Sequence, residues 1–365
     1  MEWRVFRSIS EVEDAWRSLE SRSTSAYVCQ TFDWNRAIFE TLGSPMGQRP
    51  FIVLGPGILI PLAVRYKFGI RILEFLSTDI NGYNAPLVAD DWIGSFPHEE
   101  VISMARPDIV QFDRIPKRLV QGRPNPLLPH PEARFREFGW SAILDPATFT
   151  FRNRRRRNHL IRQSAEPVTF GKAEPSDVAI LLAQHAQKYG DTHPFRQAYA
   201  AAYHAISELP TAHFTALRSG STVLATNLST LYGGQIYGVA MSHILEGPYA
   251  RLGTGQILLL YLAEWALANG VREFDFSLGS DAYKSEWANP IETFNCRFPV
   301  SLQGRAAYFL RRRHRAASRN AQGIGSNHTP SQAPAPGTTS FQPAANRERS
   351  KREESRSASP AYHPE

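Results

Sequence analysis

Residues Tyr249–Trp287 read YARLGTGQILLLYLAEWALANGVREFDFSLGSDAYKSEW. A glycine-bearing loop, Arg251 to Gly255, feeds an apolar run from Gln256 to Asn269 that is long enough for a helix. Gly270 stops it at the position after the cap, where a left-handed residue is favoured. VREFDFSLG follows as a strand, then a polar and aromatic loop. Gly253 and Gly255 allow a ligand to approach the backbone, and the first turn of the helix behind them offers unpaired N–H groups to an anion such as a pyrophosphate. The same Gly-x-Gly spacing also makes an ordinary tight turn.

Working upstream, HFTALRSG, VLATNLSTL and QIYGVAMS read as an antiparallel meander broken at Ser219–Ser221 and Gly233–Gly234. Helices are expected before it at about Pro175–Tyr189 and Phe195–Leu209, and a strand at Val168–Gly171. An arginine-rich helix spans about Phe151 to Ala165. The first half opens in the same order. A strand at Trp3–Phe6 and helices at Ser10–Leu19 and Thr31–Leu42 precede PFIVLGPGILIPLAVRY, two strands joined by a Gly-Pro-Gly turn. Strands at Ile72–Leu76 and Asp108–Phe112 follow, and Pro116–Pro131 is a proline-rich connector. Helices, a meander, a glycine loop into a helix and one more strand give an α+β order. The expected division is 1–150, 151–315 and a tail, 316–365. The tail is rich in Ser, Pro, Ala and charge, so it buries too little apolar surface to fold and is expected to be disordered.

Composition narrows the class. The chain has 365 residues, of which 42% are hydrophobic and 11% aromatic, enough for two cored domains. Its two cysteines, Cys29 and Cys296, exclude a disulfide scaffold and fit a reducing compartment. The opening MEWRVFRSIS has no apolar signal core, and the longest apolar run, Ile257–Ala268, is broken by Glu264 and too short to span a bilayer. A cytoplasmic protein is expected. The net charge of +7 is local: six arginines lie in Arg152–Arg162 and five in Arg311–Arg319, and without them the chain is net acidic. The first cluster is a candidate site for an anionic partner. Four consecutive arginines on a helix point all round, so only one or two can serve one pocket, and a solvated helix is the plainer reading.

Several stretches together resemble the GNAT acyltransferase superfamily, and more closely its CelD-like subgroup, associated with cellulose and exopolysaccharide biosynthesis, which shares the doubled architecture of FemABX peptidyl transferases. They are Gln30-Thr31-Phe32-x-Trp34, Leu73-Glu74-Phe75-Leu76 leading into Asp79–Leu87, the basic helix near Arg152, and Gly255 through its helix into Phe274-Asp275-Phe276, with Gly279, Asp281, Tyr283, Lys284 and Trp287 behind. The resemblance implies two tandem GNAT-like domains, each a mixed sheet flanked by helices, and a reaction that moves an acetyl or longer acyl group from acyl-CoA to an amine of a small molecule or saccharide precursor, without a metal. It also implies donor binding by Arg251, Gly253, Thr254, Gly255 and Gln256. Two departures stand out: Ala250 occupies the place of the usual Arg or Gln before the first glycine, and Thr254 the place of the subgroup's proline.

In a strand, Phe274 and Phe276 share one face and Asp275 and Ser277 the other. If that second face opens into the cleft, Asp275 can act as general base; otherwise it is an edge carboxylate. Tyr283, with Asp281 on the same face of an extended segment, is a candidate to protonate the leaving thiolate, as is Tyr249. Asp79, Asn81, Tyr83 and Asn84 form a polar loop that the resemblance places over the substrate cleft; Asp79 and Tyr83, with Lys284 and Trp287, are the substrate-binding candidates. Read from the residues alone, the loop is structural and Lys284 a solvated lysine. Two other readings stay open: an aminoacyl-tRNA-dependent transferase of the FemABX type, and a non-catalytic partner in polysaccharide biosynthesis that keeps the fold.

Overall fold

The computed structural model describes residues 3–77, 80–128, 130–144, 152–189, 196–279, 281 and 283–311. The expected boundary near 150 and the tail from 316 lie outside these residues. In the first half, β1 (Arg4–Phe6), α1 (Glu13–Glu20) and α2 (Phe32–Ile38) lead into the hairpin β2 (Gln48–Gly55) and β3 (Ile58–Lys67). Next come β4 (Ile70–Phe75), the short β5 (Leu87–Val88), α3 (His98–Ala105), β6 (Ile109–Pro116) and β7 (Ala133–Ile143). The second half holds α4 (Arg152–Gln163), β8 (Val168–Lys172), α5 (Asp177–Tyr189), α6 (Arg196–Ser207), β9 (Ala212–Ser219), β10 (Thr222–Tyr232) and β11 (Gln235–His243). It ends with α7 (Thr254–Ala268), β12 (Glu273–Leu278), α8 (Lys284–Trp287), β13 (Asn289–Pro299) and α9 (302–311).

All the described strands join one sheet in the order β1-β2-β3-β4-β6-β13-β7-β12-β11-β10-β9-β8, with β5 beside β3. Two neighbouring pairs are parallel, β4 with β6 and β11 with β12. A parallel pair needs a crossover, and α3 and α7 lie in the two connections. The architecture is a mixed α+β sheet flanked by helices, as expected. The two centre strands are exchanged. β7 follows β6 in the chain but lies against β12, while β13, the last strand, returns to β6. Neither half can therefore peel away without breaking three strand ladders, β6 with β13, β13 with β7 and β7 with β12.

The core follows the sheet across the middle. One apolar cluster takes in Trp34, Phe51, Leu73 and Tyr83 from the first half with Val178, Leu181, Ile206 and Tyr237 from the second. α7 is apolar on nearly every side, so it must be covered on more than its sheet face. α4 supplies the cover: Leu160 is fully buried, Arg157 pairs with Glu264 at 2.6 Å, and the Arg157 guanidinium lies 5.2 Å from the Tyr261 ring centre.

Candidate active site

β11 and β12 are paired only from Gln235–Tyr237 against Glu273–Asp275. Beyond that register they part. β12 bulges against β7 between Asp275 and Leu278, Ser277 takes a left-handed φ of 57°, and Gly279 has φ 120°. The bend turns the Ser277 N–H onto Asp275 Oδ1, 2.6 Å away. A serine held at positive φ costs free energy that the rest of the sheet must sustain, and such outliers gather at working sites. The gap is a 170 Å³ cleft whose walls include Gly238–Met241 and His243 from β11 and Phe276–Leu278 from β12. That is well below the ~300–1,000 Å³ of pockets that enclose a whole drug-sized ligand. It suits a slender chain running between two strands whose backbone groups are free of each other.

Just behind this wall, Asp275 is 3% exposed. It is a central carboxylate, not an edge one, since β7 and β11 flank its strand. The first-half loop reaches across to it: the Tyr83 hydroxyl donates to Asp275 Oδ1 at 3.1 Å, and the Gly82 N–H donates to the Tyr237 hydroxyl at 2.8 Å. Ser277 Oγ lies 3.3 Å from the same Tyr237 oxygen. Burial lifts the Asp275 carboxyl to about 7, against the lowering effect of the bonds from Ser277 and Tyr83. Both bonds end on Oδ1, which leaves Oδ2 for a proton. The burial that would ordinarily neutralise a carboxylate thus poises this one in the range useful to a general base.

Two glycines make the junction. A Cβ on Gly139 would collide with the Tyr83 hydroxyl, and one on Gly82 with the Tyr237 hydroxyl. Gly139→Ala should push Tyr83 off Asp275 and cost about 1–3 kcal/mol, read as a lower denaturation midpoint. Tyr83→Phe removes only the hydrogen bond that favours the charged carboxylate. The rising limb of its pH–rate profile should therefore move up by about one pH unit, the worth of one hydrogen bond to a charge.

Beyond the cleft residue His243, Gly253 caps α7 with φ 69°, and the first turn of the helix follows. Thr254 is buried with its hydroxyl on the Leu224 carbonyl at 3.2 Å, and Gly255 packs its Cα against the His243 ring. Gln256 Oε1 accepts from Trp287 Nε1 at 3.0 Å, while Arg251 is exposed on the turn before the helix. Ala250 leaves no arginine at its own position, but α4 brings one from a distance. An ideal Cβ on Gly253 would lie 3.7 Å from Arg156 Cδ and 4.0 Å from its Nη1. Backbone N–H groups, a left-handed glycine and a guanidinium at one helix start fit a pyrophosphate.

The remaining candidates divide. Asp281, Tyr283 and Lys284 line the cleft. The segment is not extended, however: Tyr283 caps α8, and the Lys284 N–H closes a turn onto the Asp281 carbonyl at 3.0 Å, so the shared-face expectation for Asp281 and Tyr283 fails. Lys284 is buried, not solvated, and donates its ammonium to the Leu278 carbonyl; burial lowers its pKa. Trp287 packs on Phe276 and is tied to Gln256, bracing α7. Tyr249 pairs with Ser219 at 3.2 Å and is not among the cleft residues. Asp79 lies outside the described residues. Asn81 and Asn84 hold their loop, bonding Trp34, each other and the Asp113 carbonyl. Unanticipated members are Tyr237 at the junction and Asn227, His185, Lys188 and His243 around the cleft. Among the described residues no group of His, Cys, Asp and Glu is placed to hold a metal.

A family model described as an acetyltransferase (GNAT) domain matches residues 150–285. The match lies within the second half of the chain. Its matched span holds the glycine turn, α7, the parted strands and Asp275. Among solved structures, FemX superposes with a TM-score of 0.56 at 10% identity, over 85% of this chain and 99% of its own. The C-terminal domain of a lysylphosphatidylglycerol synthetase assigned to Agrobacterium fabrum gives 0.50 at 12%, over 83% and 96%. A conserved protein of unknown function from Bacteroides thetaiotaomicron gives 0.51 at 9%, over 80% and 99%. At such identities the likeness is one of fold, and it extends across both halves, beyond the GNAT match. No curated protein matches the sequence. No described helix is long and apolar enough to cross a membrane.

Proposed function

We propose that this GNAT-fold transferase is a cytoplasmic acyl-CoA-dependent N-acyltransferase of the CelD-like kind, acting on an amine of a small molecule or saccharide precursor. The observation that carries the reading is the buried Asp275, raised to about 7, set between cleft-wall residues Phe274 and Phe276, while another wall residue, His243, packs on Gly255 at a phosphate-type helix start. The α7 N–H groups, Gly253 and Arg156 would hold the donor's phosphates, and the parted edges of β11 and β12 its linear arm. Bound acyl-CoA supplies the thioester carbonyl. The amine reaches that carbon from the side where Tyr83 and Asp275 meet, a C–N bond forms and the C–S bond breaks. The nitrogen's proton passes to Asp275, and Tyr283, on the cleft wall, donates one to the departing thiolate. Much of the rate enhancement comes from holding amine and thioester together.

A second reading replaces the donor by an aminoacyl-tRNA. Arginine-rich α4 beside the glycine turn favours it, because a basic helix at a phosphate site also suits a nucleic-acid backbone. Thermal-shift titration separates the two, since a ligand of the native state raises the melting temperature as its concentration passes its dissociation constant. A saturable shift with acetyl-CoA or longer acyl-CoA is the expected result. A shift with aminoacyl-tRNA and none with any CoA species would transfer the assignment to the second reading. No shift with either would point to a non-catalytic partner.

A further inference from the structure

The β3–β4 hairpin turns on Phe68 and Gly69, with φ 52° and 76°. A two-residue turn with both φ values positive favours Asn-Gly or Asp-Gly, and phenylalanine in its first position is disfavoured by its own backbone. Phe68 is nonetheless there, 94% exposed, so neither turn chemistry nor core packing accounts for it. Beside it starts α9: Gln303 Nε2 donates to the Gly69 carbonyl at 3.4 Å. Gly304 seats the helix on the Asp108 carbonyl, where a side chain would not fit. Leu302, Ala306, Phe309 and Leu310 then share the outward arc of the helix, and Leu302 is 82% exposed.

The surround is basic. The Lys67 ammonium lies 6.0 Å from the Phe68 ring centre, and the Arg49 and Arg71 guanidiniums lie 5.7 and 5.8 Å from the half-exposed Tyr66 ring. Arg305 and Arg311 stand on α9. The neighbouring acid, Asp108, is engaged by the Arg71 N–H and the Ser301 hydroxyl. Apolar tips ringed by cations are the chemistry of a surface that enters the headgroup region of an anionic bilayer.

We propose that the Phe68 hairpin tip and the outward face of α9 form a docking surface for anionic membrane lipid. Phe68 and Leu302 enter the acyl boundary while Lys67, Arg49, Arg71, Arg305 and Arg311 meet the headgroups. Nucleic acid fits less well, because aliphatic Leu302 and Leu310 gain nothing from a phosphodiester chain. This surface is independent of the donor cleft.

The test is co-flotation of the full chain with vesicles of phosphatidylcholine alone, or with about one third phosphatidylserine. The comparison is with the double variant Phe68→Asn, Leu302→Gln. Both residues are exposed and Asn suits the turn, so unchanged melting of the variant verifies its fold. Expected are binding only to phosphatidylserine vesicles, weakening with added salt, and a roughly tenfold or larger loss in the variant. Absence of binding, or equal binding by the variant, would overturn the proposal. So would capture of single-stranded RNA, lost in the same variant, while vesicles are ignored.

Discussion

Asp275→Asn should lower turnover of acyl-CoA with an amine by about 10²–10⁴-fold, the usual worth of a positioned general base, with donor affinity unchanged. Asn keeps the shape of the side chain and an Oδ1 that can still accept from the Tyr83 hydroxyl and the Ser277 N–H. It loses only the ability to take a proton. In the wild type, a base poised at about 7 makes the rate fall roughly tenfold per unit below that pH, and the variant should lose this limb. The same carboxyl has a stability signature of known sign. It titrates near 3.8 when unfolded and near 7 when folded, so the folded state holds the extra proton between those values. Stability contributed by that proton is present at low pH and lost as pH rises through this window. Asp275→Asn should therefore melt above the wild type at about pH 8, and by a smaller margin at about pH 4. Turnover within a factor of about three of wild type across that range would remove Asp275 from the chemistry.

The second large effect concerns the donor. Gln256→Glu preserves size and the acceptor for Trp287 Nε1, and a negative charge in the first turn of a helix is stabilising by about 0.3–1 kcal/mol. The unliganded protein should melt no lower than wild type. A pyrophosphate at that helix start would instead meet a like charge, and the acyl-CoA dissociation constant should rise about tenfold or more. Arg156→Ala should raise it by about the same factor through loss of a charge-assisted contact beside Gly253. The two changes act on the same phosphates, so their effects should couple instead of adding. Calorimetric titration with acetyl-CoA reads all three proteins. Unchanged affinity in both variants would place the donor elsewhere.

The sequence was most readable where local rules act alone. The meander β9 to β11, the glycine turn, α7 with its Gly270 stop and β12 all lie close to the stretches expected, because alternation, apolar run length and positive-φ glycines are local properties. Asp275 stood out for the same reason, as a lone carboxylate between two rings. Its partner Tyr83 reads in the sequence as a substrate-loop residue, since a hydrogen bond spanning 192 residues leaves no periodic trace. Tyr237 was missed because it is an ordinary strand aromatic until Gly82 reaches it. β7 and β13 went unread: each carries a bulge that breaks alternation, and β13 opens on Asn-Pro. Their exchange between the halves is purely tertiary. Short α3 and α8 lack the length for a helical signal, and α8 is what spoiled the extended reading of Asp281 and Tyr283. Arg156 could be named in a basic run, but only packing of α4 on α7 chooses it from its neighbours.

A crystal structure of the protein grown with coenzyme A tests the central claim most directly. The expected result is the pyrophosphate on the N–H groups of Thr254–Gln256 beside Arg156, and the pantetheine arm between Gly238–Met241 and Phe276–Leu278, its thiol at the end of the cleft nearest Asp275. Coenzyme A bound at any other surface, with β11 and β12 unoccupied between, would contradict it.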